Sequence, residues 1–229
     1  MEKEKGTIKH DLFVTDLWEF DFPYHEQFKP QVLEFISSPK AQEHIKLHCA
    51  AALHRGNPSL NSYGGDELCL EEERSLLSFF ETQVTKLLKE VEKSHDWDKG
   101  EWGNVDPWLN INQKGNFNPP HAHPGNDYSG CYYLSFPESS GFIHFLDPRS
   151  QHRFASPNPR SKENENWYNS DNAYDSSFFT YKIKEGKIVI FPSWLTHYVD
   201  PNPTDSLRIS IPFNAKYIQN HYEYQRAQT

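Results

Sequence analysis

Apolar positions fall into two textures along the chain. Residues 26–37 place Phe28, Val32, Leu33, Phe35 and Ile36 on helical spacing, and from Glu71 to Val91 the positions Leu76, Phe80, Val84, Leu87 and Val91 repeat every three or four residues. Both predict amphipathic helices. Glu71, Glu72 and Glu73 stand in the first turn of the second, where negative charge is favoured by the helix dipole. From Trp108 onwards short β-prone runs alternate with Pro, Gly, Asn and Asp: 108–113, 130–136, 142–146, 178–183, 187–191, 196–199 and 207–213. About seven strands within some hundred residues point to an antiparallel sandwich or jelly roll. Glu185-Gly186 reads as a hairpin turn between two of them, and Pro201-Asn202-Pro203 as another break. The expected fold class is a β-rich α+β protein, a jelly roll with helical support. Its 229 residues read as a single domain: a helical support region at 1–100, a β core at 105–216, and a polar insertion at 147–176 that acts as a lid or a plain insertion.

Composition narrows the function classes. Acidic residues outnumber basic ones, 32 to 23, so a broad basic face for nucleic acid is not expected. Aromatic residues make up 15% of the chain, which suits sheets and ligand pockets. Cys49, Cys69 and Cys131 have neither disulfide nor metal-ligand spacing, consistent with a reducing compartment. The start carries no apolar leader, and the apolar runs are too short to cross a bilayer. The expected location is cytoplasmic, without membrane binding.

Candidate chemistry lies in two places. In Asn118-Pro119-Pro120-His121-Ala122-His123-Pro124, the prolines favour an extended chain, in which His121 and His123 point to the same side and can chelate one ion. A bare His-x-His arises readily by chance, so it carries little alone. Some seventy residues on, the run 186–192 leads past Trp194 to His197, where a third ligand reaches the mouth of a β-barrel. Arg208 follows among apolar neighbours, and a buried cation there calls for an anionic partner. Ser210 shares its strand face.

The ordered set Asn118 to Pro124, Ser129-Gly130-Cys131-Tyr132-Tyr133, Asp147-Pro148-Arg149, Phe191 to His197 and Arg208 to Ile211 resembles a subgroup of the 2-oxoglutarate and Fe(II)-dependent oxygenases across about residues 105–216. The resemblance implies a double-stranded β-helix with iron held by His121, His123 and His197. It also implies that Arg208 and Ser210 bind the far carboxylate of 2-oxoglutarate, assisted by Tyr133, with Tyr132 facing the other way. Dioxygen and an organic substrate are then the other reactants, and hydroxylation coupled to decarboxylation of 2-oxoglutarate is the reaction class. One departure stands out: the usual triad is two histidines and one carboxylate, and the carboxylate position here is His123. A three-histidine site, a site completed by Asp127, or a fold that has lost its metal are the three readings, with the first favoured.

A metal-dependent cupin without 2-oxoglutarate is the rival enzyme class, since the spacing from Gly115 through His121 and His123 to Asp127, and from Gly186 to His197, fits cupin motifs. A cupin has no general need of Arg208 and Ser210. A β-sandwich interaction module would require the histidine pattern to be accidental. Trp108 and Trp194 read as core aromatics, and Asp147 with Arg149 as a local ion pair. Asn110 and Asn112 either reach the co-substrate or sit on an exposed edge. His144, His152 and His221 read as ordinary, and His44 and His48 as a solvated surface pair.

Overall fold

The computed structural model describes residues 14–54, 62–63, 70–95, 100–149 and 178–219, and within these the side chains of 48–54, 62–63 and 219 are not described. His152, His221, Cys69 and most of the 147–176 insertion lie outside the described residues, as do the side chains of His48 and Cys49. The elements run β1 (Trp18–Asp21), α1 (His25–Ser37), α2 (Pro39–His54), β2 (Ser62–Tyr63), α3 (Glu71–Ser94), β3 (Gly100–Pro107), β4 (Leu109–Asn112), β5 (Asn118–His121), β6 (Tyr128–Ser135), β7 (Ile143–Leu146), β8 (Phe178–Tyr181), β9 (Lys187–Pro192), β10 (His197–Val199) and β11 (Arg208–Gln219). A major sheet has the order β1-β9-β6-β11-β4-β2, with β3 pairing the second half of β11, and a minor sheet has the order β5-β10-β7-β8. All of the pairings are antiparallel.

Each apolar run of the second half becomes a strand, and strand alternation sorts its side chains between two cores. Tyr132, Ile188, Ile190, Ile209, Ile211 and Phe213 face the helices, where they meet Phe28, Val32, Phe80, Val84 and Leu88. Tyr133, Val189 and Phe191 face the other way and pack on Ile143, Phe145 and Tyr181 of the minor sheet. With both faces of β9 covered, its sequence is continuously apolar rather than alternating. Phe80 is fully buried and lies against Tyr132, ring centroids 5.5 Å apart. Burial of such a side chain stabilises by about 1.5–3 kcal/mol. Helices thus seal one face of the major sheet, and its opposite face is left to form a cleft with the minor sheet.

Several features depart from the sequence expectation, among them strands β1 and β2, which lie in the expected helical region and form the two ends of the major sheet's strand order. The α3 face is rotated: Leu77 and Leu88 are buried, whereas Leu76 and Leu87 only border the core. Glu185-Gly186 is no hairpin, because β8 belongs to the minor sheet and β9 to the major one. The turn is a crossing between sheets, pinned by Gly186 N–H donating to the Tyr133 carbonyl and by Phe22 N–H donating to the Gly186 carbonyl. Gly186, at φ 83°, supplies the left-handed backbone this crossing requires. Strand β3 was hidden by its polar composition, Glu101, Gly103, Asn104 and Asp106. Strand β5 was hidden by Pro119 and Pro120, which are tolerated because it is an edge strand. Among the described residues no helix is long and apolar enough to cross a membrane.

Candidate metal centre

Pairing of β5 with β10 sets His121 directly opposite His197. His123 lies just beyond β5, where its backbone N–H donates to the Ser193 carbonyl at 2.9 Å and turns the chain back over the strand end. The three rings converge, with centroids 4.4 Å apart for His121 and His197, 5.0 Å for His121 and His123, and 5.2 Å for His123 and His197. One ligand nitrogen from each lies within 4.8 Å of the others.

Local hydrogen bonds set the tautomers. The Nδ1 of His121 is 2.7 Å from the Pro119 carbonyl, and that of His197 is 2.9 Å from the Leu195 carbonyl. A carbonyl only accepts, so each Nδ1 carries the proton and each Nε2 keeps its lone pair for a metal. Burial lowers the His197 pKa to about 3 and, with the nearby His121, that of His123 to about 4. Both are neutral donors near pH 7. Asp127 does not join them: its carboxylate accepts the Tyr217 backbone N–H at 2.7 Å and ties the loop to β11. The donor set suits a metal that takes imidazole, and three protein donors leave further coordination positions open.

The major sheet supplies the wall of the same cleft. Register places Ser210 between Asn110 on β4 and Tyr133 on β6, and Arg208 beside Asn112. Arg208 is only 1% exposed. Its Nε donates to Asn112 Oδ1 at 3.2 Å, its Nη1 to the Ser140 and Asp200 carbonyls at 2.7 and 2.9 Å, and its Nη2 to the Asn116 carbonyl at 3.3 Å. These bonds use four of the five guanidinium N–H groups, leaving one on Nη2. Among the described residues no carboxylate side chain forms an ion pair with it, so the anionic partner its charge calls for is not one of them. Burial lowers its pKa to about 10, so it remains a cation at neutral pH.

On the cavity wall three further polar atoms are buried without a hydrogen-bond partner among the described residues: the Tyr133 hydroxyl, Asn110 Oδ1 and Asn112 Nδ2. The Cys131 thiol is near the Tyr133 hydroxyl, and burial pushes the pKa of both groups up. Each unmade bond of a buried group costs about 1–3 kcal/mol. All of them border one cavity of about 380 Å³, which is also lined by His121, His123, His197, Arg208 and Ser210. Its size fits a small-molecule site.

The remaining candidates sort cleanly. Tyr132 faces the helical core and bonds His25 at 2.7 Å, as alternation requires. Asn110 and Asn112 are buried in the cavity wall, since β2 covers the outer side of β4. Neither tryptophan is a core residue: Trp194 is 55% exposed, and Trp108 lines the cavity with its ring 6.1 Å from that of His123. Both flank the ends of strands, where a side chain can leave the sheet interior. Asp147 and Arg149 form the expected local ion pair at 2.7 Å. His144 is not ordinary: it is buried and bonded on both ring nitrogens, to Thr180 and to Asp200. Its partners are 36 and 56 residues away, so no local pattern announced them.

Residues 106–214 match the family model described as "Putative 2OG-Fe(II) oxygenase". No curated protein sequence matches the chain. Among solved structures it is similar to a Pseudomonas putida prolyl-4-hydroxylase, with 12% identity, 92% of each chain covered and a TM-score of 0.50. It is also similar to the non-heme alpha-ketoglutarate-dependent epimerase SnoN from nogalamycin biosynthesis, with 12% identity, 90% of this chain and 77% of that chain covered, and a TM-score of 0.50. Against a 2OG-Fe(II) oxygenase family oxidoreductase from Burkholderia pseudomallei, at 12% identity and a TM-score of 0.44, the match covers 64% of this chain and 59% of that one, less than two thirds of the relative's length. At these identities the likeness speaks for the fold, a double-stranded β-helix with three helices. The histidine cluster and the buried arginine both lie inside the segment that matches this family model.

Proposed function

We propose that this chain is an Fe(II)- and 2-oxoglutarate-dependent dioxygenase that hydroxylates an organic substrate, with His121, His123 and His197 as the metal ligands. The observation that carries this reading is that a buried guanidinium without a carboxylate partner shares one cavity with three convergent neutral imidazoles. When bound, Fe(II) supplies the dioxygen chemistry that couples decarboxylation of 2-oxoglutarate, to succinate and carbon dioxide, to oxidation of the substrate.

The residues divide that work. Arg208 offers its charge and its remaining Nη2 N–H to the far carboxylate of 2-oxoglutarate, and Ser210 and Tyr133 add hydroxyl donors from the neighbouring positions of β11 and β6. The carbonyls that grip the guanidinium fix its orientation before the ligand arrives, which lowers the ordering cost of binding. His121 and His197 are held in the metal-binding tautomer by Pro119 and Leu195. With His123 in place of a carboxylate the site is one unit more positive than a two-histidine, one-carboxylate centre. Phe191 and Phe145 close the cavity side of His197 and limit water there. Dioxygen and the substrate complete the reactants, and the working location is the cytoplasm, where thiols stay reduced.

A cupin-type metalloprotein would leave the buried Arg208 unexplained. Succinate measured after incubation with Fe(II), ascorbate, 2-oxoglutarate and air tests the proposal even without a substrate, through slow uncoupled turnover. Succinate above the protein-free background, lost in His197→Ala, supports it. Background succinate in a well-folded, iron-loaded protein would contradict it.

A further inference from the structure

Asp200 touches the buried guanidinium of Arg208 through its backbone carbonyl, yet its carboxylate is engaged elsewhere. The backbone carbonyl of Asp200 accepts from Arg208 Nη1 at 2.9 Å, yet its side chain makes no ion pair with that group. Instead Asp200 Oδ2 accepts the Phe142 backbone N–H at 3.1 Å and lies 2.9 Å from Nε2 of His144. The His144 ring is fixed in turn by Thr180 Oγ1, 2.9 Å from Nδ1, and by the ring of Tyr198, stacked at 4.5 Å. His144 is buried, whereas the Asp200 side chain is 33% exposed, so the pair sits at the edge of the interior. Strands β7, β8 and β10 lie side by side here, with His144 opposite Tyr198 on one side and Thr180 on the other.

The approach of Asp200 to Arg208 is built into the backbone. A Cβ on Gly141 would stand 2.9 Å from Asp200 Cβ and 3.0 Å from Arg208 Nη1, and Gly141 has φ 102°. Only glycine allows the two residues to sit this close. Since the Asp200 carbonyl already touches Nη1, the carboxylate on the same residue is an acidic group placed to turn towards that guanidinium. A protein carboxylate there would neutralise the arginine and compete with an incoming one.

We propose that His144 is a positioning residue that holds the Asp200 carboxylate away from Arg208, keeping the guanidinium available for the carboxylate of the co-substrate. This rests on the proposed role of Arg208 as the anchor for 2-oxoglutarate. Removing the His144 donor lets Asp200 turn inward and act as an internal competitor. Removing the charge of Asp200 at the same time abolishes the competition, because an Asn side chain still accepts the Phe142 N–H but does not attract the cation.

The test is calorimetric binding of 2-oxoglutarate to protein loaded with Mn(II), which needs no turnover, in wild type, His144→Leu, Asp200→Asn, the double variant and His144→Gln. The expected result is at least about a 10-fold weaker Kd in His144→Leu, restoration to within about 2-fold of wild type in the double variant, and near-normal binding in His144→Gln, which keeps a donor. Thermal unfolding of each variant separates this from a loss of fold. Wild-type binding with no change in His144→Leu would overturn the positioning role alone. Weak binding that Asp200→Asn does not rescue would make His144 merely structural. A Mn(II)-loaded wild type that takes up no 2-oxoglutarate would overturn both this inference and the reading of Arg208.

Discussion

His121 and His197 are direct register partners across β5 and β10, and each donates its Nδ1 proton to the carbonyl two residues before it, Pro119 for one and Leu195 for the other. The two strands therefore place the two candidate ligands, and each residue's own backbone orients its ring. His123 is placed differently, by its N–H bond to Ser193. The three-histidine arrangement thus uses two strand ends and the loop beyond one of them.

Replacing His121 or His197 with Ala is expected to weaken Fe(II) or Mn(II) binding by more than about 100-fold, beyond the 10–100-fold typical of residues that only support a ligand. Asp127→Ala should leave metal affinity within about 2-fold of wild type and cost about 1 kcal/mol of stability through the lost bond to the Tyr217 N–H. Metal titration and chemical denaturation of these variants check both. A large loss of metal in Asp127→Ala would return that residue to the ligand set.

Tyr132 and Tyr133 are neighbours with opposite duties. Tyr132→Phe should lower stability by about 1 kcal/mol, having lost its bond to His25, with unchanged 2-oxoglutarate affinity. Tyr133→Phe removes a hydroxyl that lacks a hydrogen-bond partner, so stability should hold or rise while 2-oxoglutarate binding weakens several-fold. Denaturation midpoints and binding isotherms on the pair separate the two faces of β6.

The opposite facing of Tyr132 and Tyr133 was legible in the sequence because β6 obeys a period of two, and the same rule put Arg208 and Ser210 on one face. The His-x-His pair and the distal His197 were readable for a similar reason: strand ends deliver side chains to a cleft in a countable way. Other features depend on contacts distant in sequence. The rotation of α3 onto Leu77 and Leu88 is decided by what the sheet presents to it, since 76 and 77, and 87 and 88, differ little in helical spacing. Gly186 is a good turn residue in a hairpin and in a crossing between sheets alike, so only the partner strands distinguish them. The network of Thr180, His144 and Asp200 joins β8, β7 and the residue just past β10, and left no local trace.

Acid should destabilise the metal-free protein before ordinary carboxylates titrate. An unfolded histidine takes up a proton near pH 6.5, whereas buried His197 resists until about pH 3. The unfolded state therefore binds more protons between those values. The stability contribution is complete above about pH 6.5 and is lost as pH falls towards 3, at up to about 1.4 kcal/mol per pH unit. Denaturation midpoints at pH 7.5, 6.0 and 5.0 should fall in that order, and His197→Leu should flatten the slope. An unchanged slope in that variant would assign the effect elsewhere.

The most direct test is an anaerobic titration of the Fe(II)-loaded protein with 2-oxoglutarate, followed by the weak visible charge-transfer absorption of the chelate, in wild type and in Arg208→Ala. The account predicts that the band develops in wild type and requires at least about 10-fold more 2-oxoglutarate in the variant, the loss expected from removing a charge-assisted anchor. Iron binding with no spectral response to 2-oxoglutarate in wild type would contradict it.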